Sequence, residues 1–79
     1  MRQVDSAISV LSAAIDQSPA EYTLYMERGK LYHRKGDFDK ALNDFTKAVQ
    51  IKPHDMEAAT YIEMIREILN YRYKDLYNP

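Results

Sequence analysis

Seventy-nine residues hold one domain at most, and folding at this length removes only roughly 60–65% of the unfolded chain's surface from water. With no cysteine and no metal-ligand cluster, a disulfide or zinc staple is excluded, so helix packing or association must supply the stability. Eleven basic and twelve acidic side chains leave a formal net charge of −1, which lacks the basic footprint of a phosphate-binding surface and argues against nucleic acid as a partner.

The first predicted helix covers residues 3–17, where Val4, Ala7, Ile8, Val10, Leu11, Ala14 and Ile15 recur at helical spacing. Residues 7–15, behind Arg2, also have the outline of a short secretory h-region. Asp5 ahead of them and Ser9 and Ser12 among them count against that reading. Ser18 and Glu21, three apart and with Pro19 between them, read as a capping box for a second helix over 22–35. Inside that helix Gly29 costs about 1 kcal/mol relative to alanine. Its return is the close approach of a neighbouring helix, which a side chain would block. In the turn Lys35-Gly36-Asp37-Phe38, Gly36 is free to take a positive φ and Asp37 is placed to cap a third helix over 38–51. Ala41 and Ala48 are its small contacts and Phe45 its large one. Pro53 cannot continue that helix, and Asp55 is placed to cap the last one, 56–74. Its stripe is Ala58, Tyr61, Ile62, Ile65, Ile68 and Leu69. At 1.5 Å per residue it runs roughly 28 Å, against about 21 Å for a 14-residue helix, so its last turns overhang. Arg72 lies in the direction of the stripe and ends the expected core near Leu69; residues 75–79 are a tail. No apolar run approaches the roughly 20 residues of a membrane span.

Residues 5–21 laid over residues 39–55 align Asp5 with Asp39, Ala7 with Ala41, Ala14 with Ala48 and Pro19 with Pro53, each pair 34 apart. Ile8 meets Leu42, Leu11 meets Phe45 and Ile15 meets Val49. A fixed period of this size marks stacked supersecondary units, each unable to bury its apolar face alone. The segment 22–55 resembles the tetratricopeptide repeat, whose pattern is W-x2-L-G-x2-Y, then A-x3-F, then P. Tyr25 takes the tryptophan slot, Gly29 and Tyr32 match, Ala41 and Phe45 supply A-x3-F, and Pro53 closes the unit. Arg28, in the leucine slot, departs in character.

The resemblance implies an all-α fold of antiparallel helix-turn-helix repeats, a fragment of a right-handed superhelix with about four helices. Residues 3–17 become the second helix of a partial repeat whose first helix lies outside this sequence. Residues 22–55 form the complete repeat. Residues 56–74 form a divergent capping helix, since Glu63 stands in the glycine slot and Arg66 in the tyrosine slot.

Members of this family line a concave groove with the first helices of successive repeats, and the groove takes extended or helical peptides. The resemblance therefore implies a non-catalytic module that binds a peptide or protein partner. By slot, the groove side of the second helix is Thr23, Met26, Lys30, His33 and Arg34. On the last helix it is Glu57, Thr60, Tyr61, Met64 and Glu67. Met26 and Met64 would give an adaptable apolar floor. Some members grip C-terminal carboxylates through lysine, asparagine and arginine at fixed slots. Here Met26, Lys30, Glu57 and Tyr61 occupy those slots, which argues against such a clamp.

The tail places Tyr71, Arg72, Tyr73 and Tyr77 among charged residues, a composition enriched at interface hot spots. His33 and His54 stand in no spacing that suggests a metal site or a nucleophile's base, and neither a phosphate loop nor a G-x-S-x-G motif is present. No catalytic residue, cofactor or metal is assigned, and no enzyme or membrane role is expected. The alternative to partner binding is self-association into a homo-oligomer, because one full repeat and two halves fall short of the three or so units that usually stand alone. The cysteine-free composition fits a reducing, cytoplasmic setting.

Overall fold

Four helices joined by short turns make up the described chain: α1 (Arg2–Gln17), α2 (Tyr22–Lys35), α3 (Phe38–Ile51) and α4 (Met56–Tyr77). They come from a computed structural model that describes the backbone of residues 2–77 and the side chains of residues 3–72. The side chains of Tyr73 and Tyr77, named above as interface candidates, therefore lie outside the described residues.

The turns show why the helices stop where they do. Gly36 takes φ 87°, and its N–H donates to the His33 carbonyl at 3.1 Å while the N–H of Asp37 donates to the Tyr32 carbonyl at 2.9 Å. This left-handed cap satisfies two of the carbonyls that the end of α2 leaves over. Asp37 holds the N-cap position of α3 but makes no side-chain cap bond, and its carboxylate lies 3.7 Å from Lys40 instead. The capping box expected at Ser18 and Glu21 also does not form. Glu21 is the N-cap of α2 without a side-chain bond, and the turn is closed by its N–H donating to the Ser18 carbonyl at 3.2 Å. Tyr25 fastens the same turn from below, its hydroxyl donating to the Pro19 carbonyl at 2.7 Å. Asp55 does cap α4: its Oδ1 accepts from the N–H of Glu57 at 2.7 Å.

Each turn reverses the chain, so α2 and α4 run parallel on either side of α3. Contacts rise together along them: Lys30 meets Glu57, and His33 meets Tyr61. The core gathers Tyr25 and Met26 from α2, Ala41, Phe45 and Ala48 from α3, Ala58 and Ile65 from α4, and Ile15 from α1. Ala41, Phe45, Ala48, Ala58 and Ile65 are wholly buried. Three alanines at the crossings let the helix axes come close, and Phe45 fills the space between them. Val4 and Ile8 extend the buried side of α1. Val10 does not join them and is 69% exposed, so the apolar stripe of α1 is wider than the face its neighbours cover. At 22 residues α4 is about 33 Å long, and its last turns pass the α2–α3 turn, where the Arg72 guanidinium lies 5.1 Å from the Phe38 ring.

Candidate partner-binding face

Beneath the parallel helices α2 and α4 lies a rigid joint. Gly29 faces α3 so closely that a Cβ there would stand 2.9 Å from Cε1 of Phe45 and 3.2 Å from Cβ of Asp44. Phe45 is wholly buried and stacks on Tyr61 with ring centroids 4.6 Å apart and planes 10° from parallel, which restricts any shift. Tyr61 in turn meets the edge of His33 at 5.5 Å, and His33 meets Phe38 at 5.4 Å. The Nε2 of His33 is shielded from solvent and has no hydrogen-bond partner. These rings tie α2, α3 and α4 into one body and fix how the outer faces of α2 and α4 lie beside each other.

Arg28 makes the second tie. Its Nε donates to Oδ2 of Asp44 at 2.8 Å and its Nη2 to Oδ1 at 2.7 Å, while Nη1 donates to Oγ of Ser12 on α1 at 3.0 Å. Asp44 is 4% exposed, so this bidentate pair neutralises a carboxylate that burial alone would penalise. The hydrogen bond to Asp44 holds the Arg28 guanidinium above its ordinary pKa. Sequence reading treated Arg28 as a departure and did not single out Asp44. A usable signal was present: a charged residue in a slot that favours leucine calls for an opposite charge across the helix pair. A third tie is exposed, with Nζ of Lys35 donating to Oδ1 of Asp5 at 2.6 Å. That hydrogen bond lowers the Asp5 pKa and raises that of Lys35.

The residues assigned to a groove divide into two groups. Met26 is 3% exposed and belongs to the core, so it offers no floor that a partner could reach. His33 and Tyr61 are half-buried in the ring stack and support the face from within. Thr23, Arg34, Glu57, Thr60, Met64 and Glu67 are exposed, and Lys30 is half-exposed. Lys30 bridges the two helices, its Nζ donating to Oε2 of Glu57 at 3.3 Å. The Thr60 hydroxyl donates to the Met56 carbonyl at 2.8 Å. Tyr71 is 71% exposed, and Arg72 is exposed beside it.

Two apolar depressions flank this face. One runs between α1 and α2, floored by Val10, Leu11 and Leu31 and rimmed by Glu27, Lys30 and Arg34. The other lies along α4, with Met64, Ile68 and Tyr71 between Glu67 and Arg72. Among the described residues no three His, Asp or Glu side chains converge to hold a metal, and no helix is long and apolar enough to cross a membrane.

Part of this geometry is similar to a known repeat. The tetratricopeptide repeat matches residues 22–55. Superkiller complex protein 3 of Homo sapiens is 29% identical over 73 residues, covering 92% of this chain and 5% of that protein. Tetratricopeptide repeat protein 16 of Homo sapiens is 29% identical over 65 residues, covering 82% of this chain and 7% of that protein. The chain thus spans less than a tenth of either relative's length.

Proposed function

We propose that this chain, in which the tetratricopeptide repeat matches residues 22–55, is a non-catalytic protein-interaction module that holds a peptide or helix of a partner on the shared face of α2 and α4. The observation that supports the reading is the division of that face. A ring stack of Phe45, Tyr61 and His33 that joins three helices carries an exposed layer in which Lys30 and Arg34 stand beside Glu57, Glu67 and Met64. A preorganised base lowers the ordering cost of binding, and mixed charges around an apolar centre select a partner's register. The printed name of one relative places that protein in a complex, and the same kind of role is proposed here. A reducing, cytoplasmic setting accords with the absence of cysteine.

The test is a peptide array, followed by titration of the peptides that bind. Lys30→Glu and Met64→Glu should each weaken binding by about tenfold, since each changes the exposed layer without touching the base. Retention of every bound peptide at wild-type affinity by both variants would overturn the assignment of this face.

A further inference from the structure

Of the three ion pairs that join different helices among the described residues, one lies on the face assigned above to a partner. Nζ of Lys30 on α2 stands 3.3 Å from Oε2 of Glu57 on α4, and the two side chains are 41% and 54% exposed. The other two pairs close to 2.7 and 2.6 Å. An exposed pair held at the longer distance adds little to stability, so little is lost when it opens. Glu57 also has a second source of support, because it stands in the first turn of α4, where a helix N-terminus favours negative charge. The bridge sits one turn before the contact of His33 with Tyr61, which keeps α2 beside α4 whether the bridge is open or closed.

Spacing restricts what can use the bridge. Glu57 and Met64, both exposed, are seven residues apart on one side of α4, about 10.5 Å along its axis at 1.5 Å per residue. A partner helix lying along α4 repeats that distance between its own residues i and i+7, which also share one face. An extended strand does not, since its same-face residues fall at about 6.8 and 13.6 Å when the rise is about 3.4 Å per residue. One turn of such a helix also sets two side chains about 5–6 Å apart, within reach of Lys30 and Glu57 together. A single charge brought there is attracted by one member of the bridge and repelled by the other, whereas an acid and a base side by side satisfy both. We infer that the Lys30–Glu57 bridge opens to receive an amphipathic helix of a partner. An acidic side chain of that helix pairs with Lys30 and a basic one, a turn away, pairs with Glu57, while a large apolar side chain seven residues from the base packs on Met64. The inference rests on the reading of the α2–α4 face given above and adds the chemistry of its occupant.

Fluorescence anisotropy of the 79-residue chain with a library of alanine-based helical peptides, varied among Glu, Lys, Leu and Ala, tests this. Peptides with Glu and Lys three or four residues apart and Leu seven from the Lys should bind about tenfold more tightly than those with two acids, two bases or no charge at these positions. Lys30→Glu combined with Glu57→Lys rebuilds the bridge in reverse. That double variant should prefer peptides in which Glu and Lys have changed places, and should bind the original ones about tenfold more weakly. Both positions lie at the surface, so circular dichroism should show the wild-type helix content and thermal midpoint. A preference that the double variant leaves unchanged overturns the inference, as do tightest binders without an acid–base pair, or no binding by any peptide that carries the pattern. Binders indifferent to the exchange of charges but lost with Met64→Glu would leave the partner-binding reading standing while this one falls. Binders untouched by Met64→Glu as well would overturn both.

Discussion

Arg28 and Asp44 show how a polar pair can hold a small core together. Asp44 is almost wholly buried, and both its carboxylate oxygens accept from the guanidinium, so removing only the arginine strands a charge in the interior. Arg28→Leu should cost about 2–3 kcal/mol in urea unfolding, below the full figure for a sealed pair because the arginine side chain retains 20% of its exposure. Arg28→Leu combined with Asp44→Leu should cost less than Arg28→Leu alone, since no unpaired charge remains. Gly29 obeys a steric rule. Alanine would gain helix propensity worth about 1 kcal/mol but would press on a Phe45 ring that Tyr61 holds in place. Overpacking of that kind costs about 1–3 kcal/mol, so Gly29→Ala should be net destabilising by about 1 kcal/mol, read as a lower denaturation midpoint at unchanged m-value.

The joints between elements differ in strength and in their response to conditions. Gly36 closes α2 with φ 87° in open space, so Gly36→Ala meets only backbone strain and should cost about 1 kcal/mol. Of the ties between α1 and α2, the Lys35–Asp5 pair is ionic and exposed. Asp5 has its pKa lowered from 3.8 by the hydrogen bond from Lys35, so its stabilising contribution is complete above that value and disappears as pH falls through the lowered one. Lys35 has its pKa raised from 10.5 by the same bond, so its contribution is complete below that value and is lost as pH rises through the raised one. The protection of α1 amides relative to their intrinsic exchange rate at each pH should therefore fall in acid and in high salt, and Asp5→Asn should remove that part of the acid response. Element boundaries were largely legible in the sequence, because Pro19, Gly36, Pro53 and Asp55 punctuate the chain through backbone chemistry that acts locally. Caps were less so. Ser18, Glu21 and Asp37 are chemically able to cap, but whether an oxygen reaches an N–H depends on the dihedral angles of the turn, which neighbouring helices set.

At the scale of the whole molecule, a 34-residue period and six filled repeat slots were enough to specify stacked antiparallel helices. They were not enough to specify the face. Helical periodicity gives each residue an angle about its own axis, but burial depends on where the next helix crosses. Met26 falls under that crossing and is lost to the core, while Val10 falls outside it and stays in solvent. His33 and Tyr61 are held in a ring stack that joins three elements, a contact that no single stretch of sequence displays. What remains at the surface of α2 and α4 is a smaller and more charged layer than the slots alone suggested, centred on Lys30, Arg34, Met64 and Glu67. Site-specific photo-crosslinking to a bound peptide tests that centre most directly, with a benzophenone side chain placed in turn at Arg34, at Met64 and at Lys47 on the exposed side of α3. Strong adducts from Arg34 and Met64 with little from Lys47 are the predicted result; adducts chiefly from Lys47 would contradict the account.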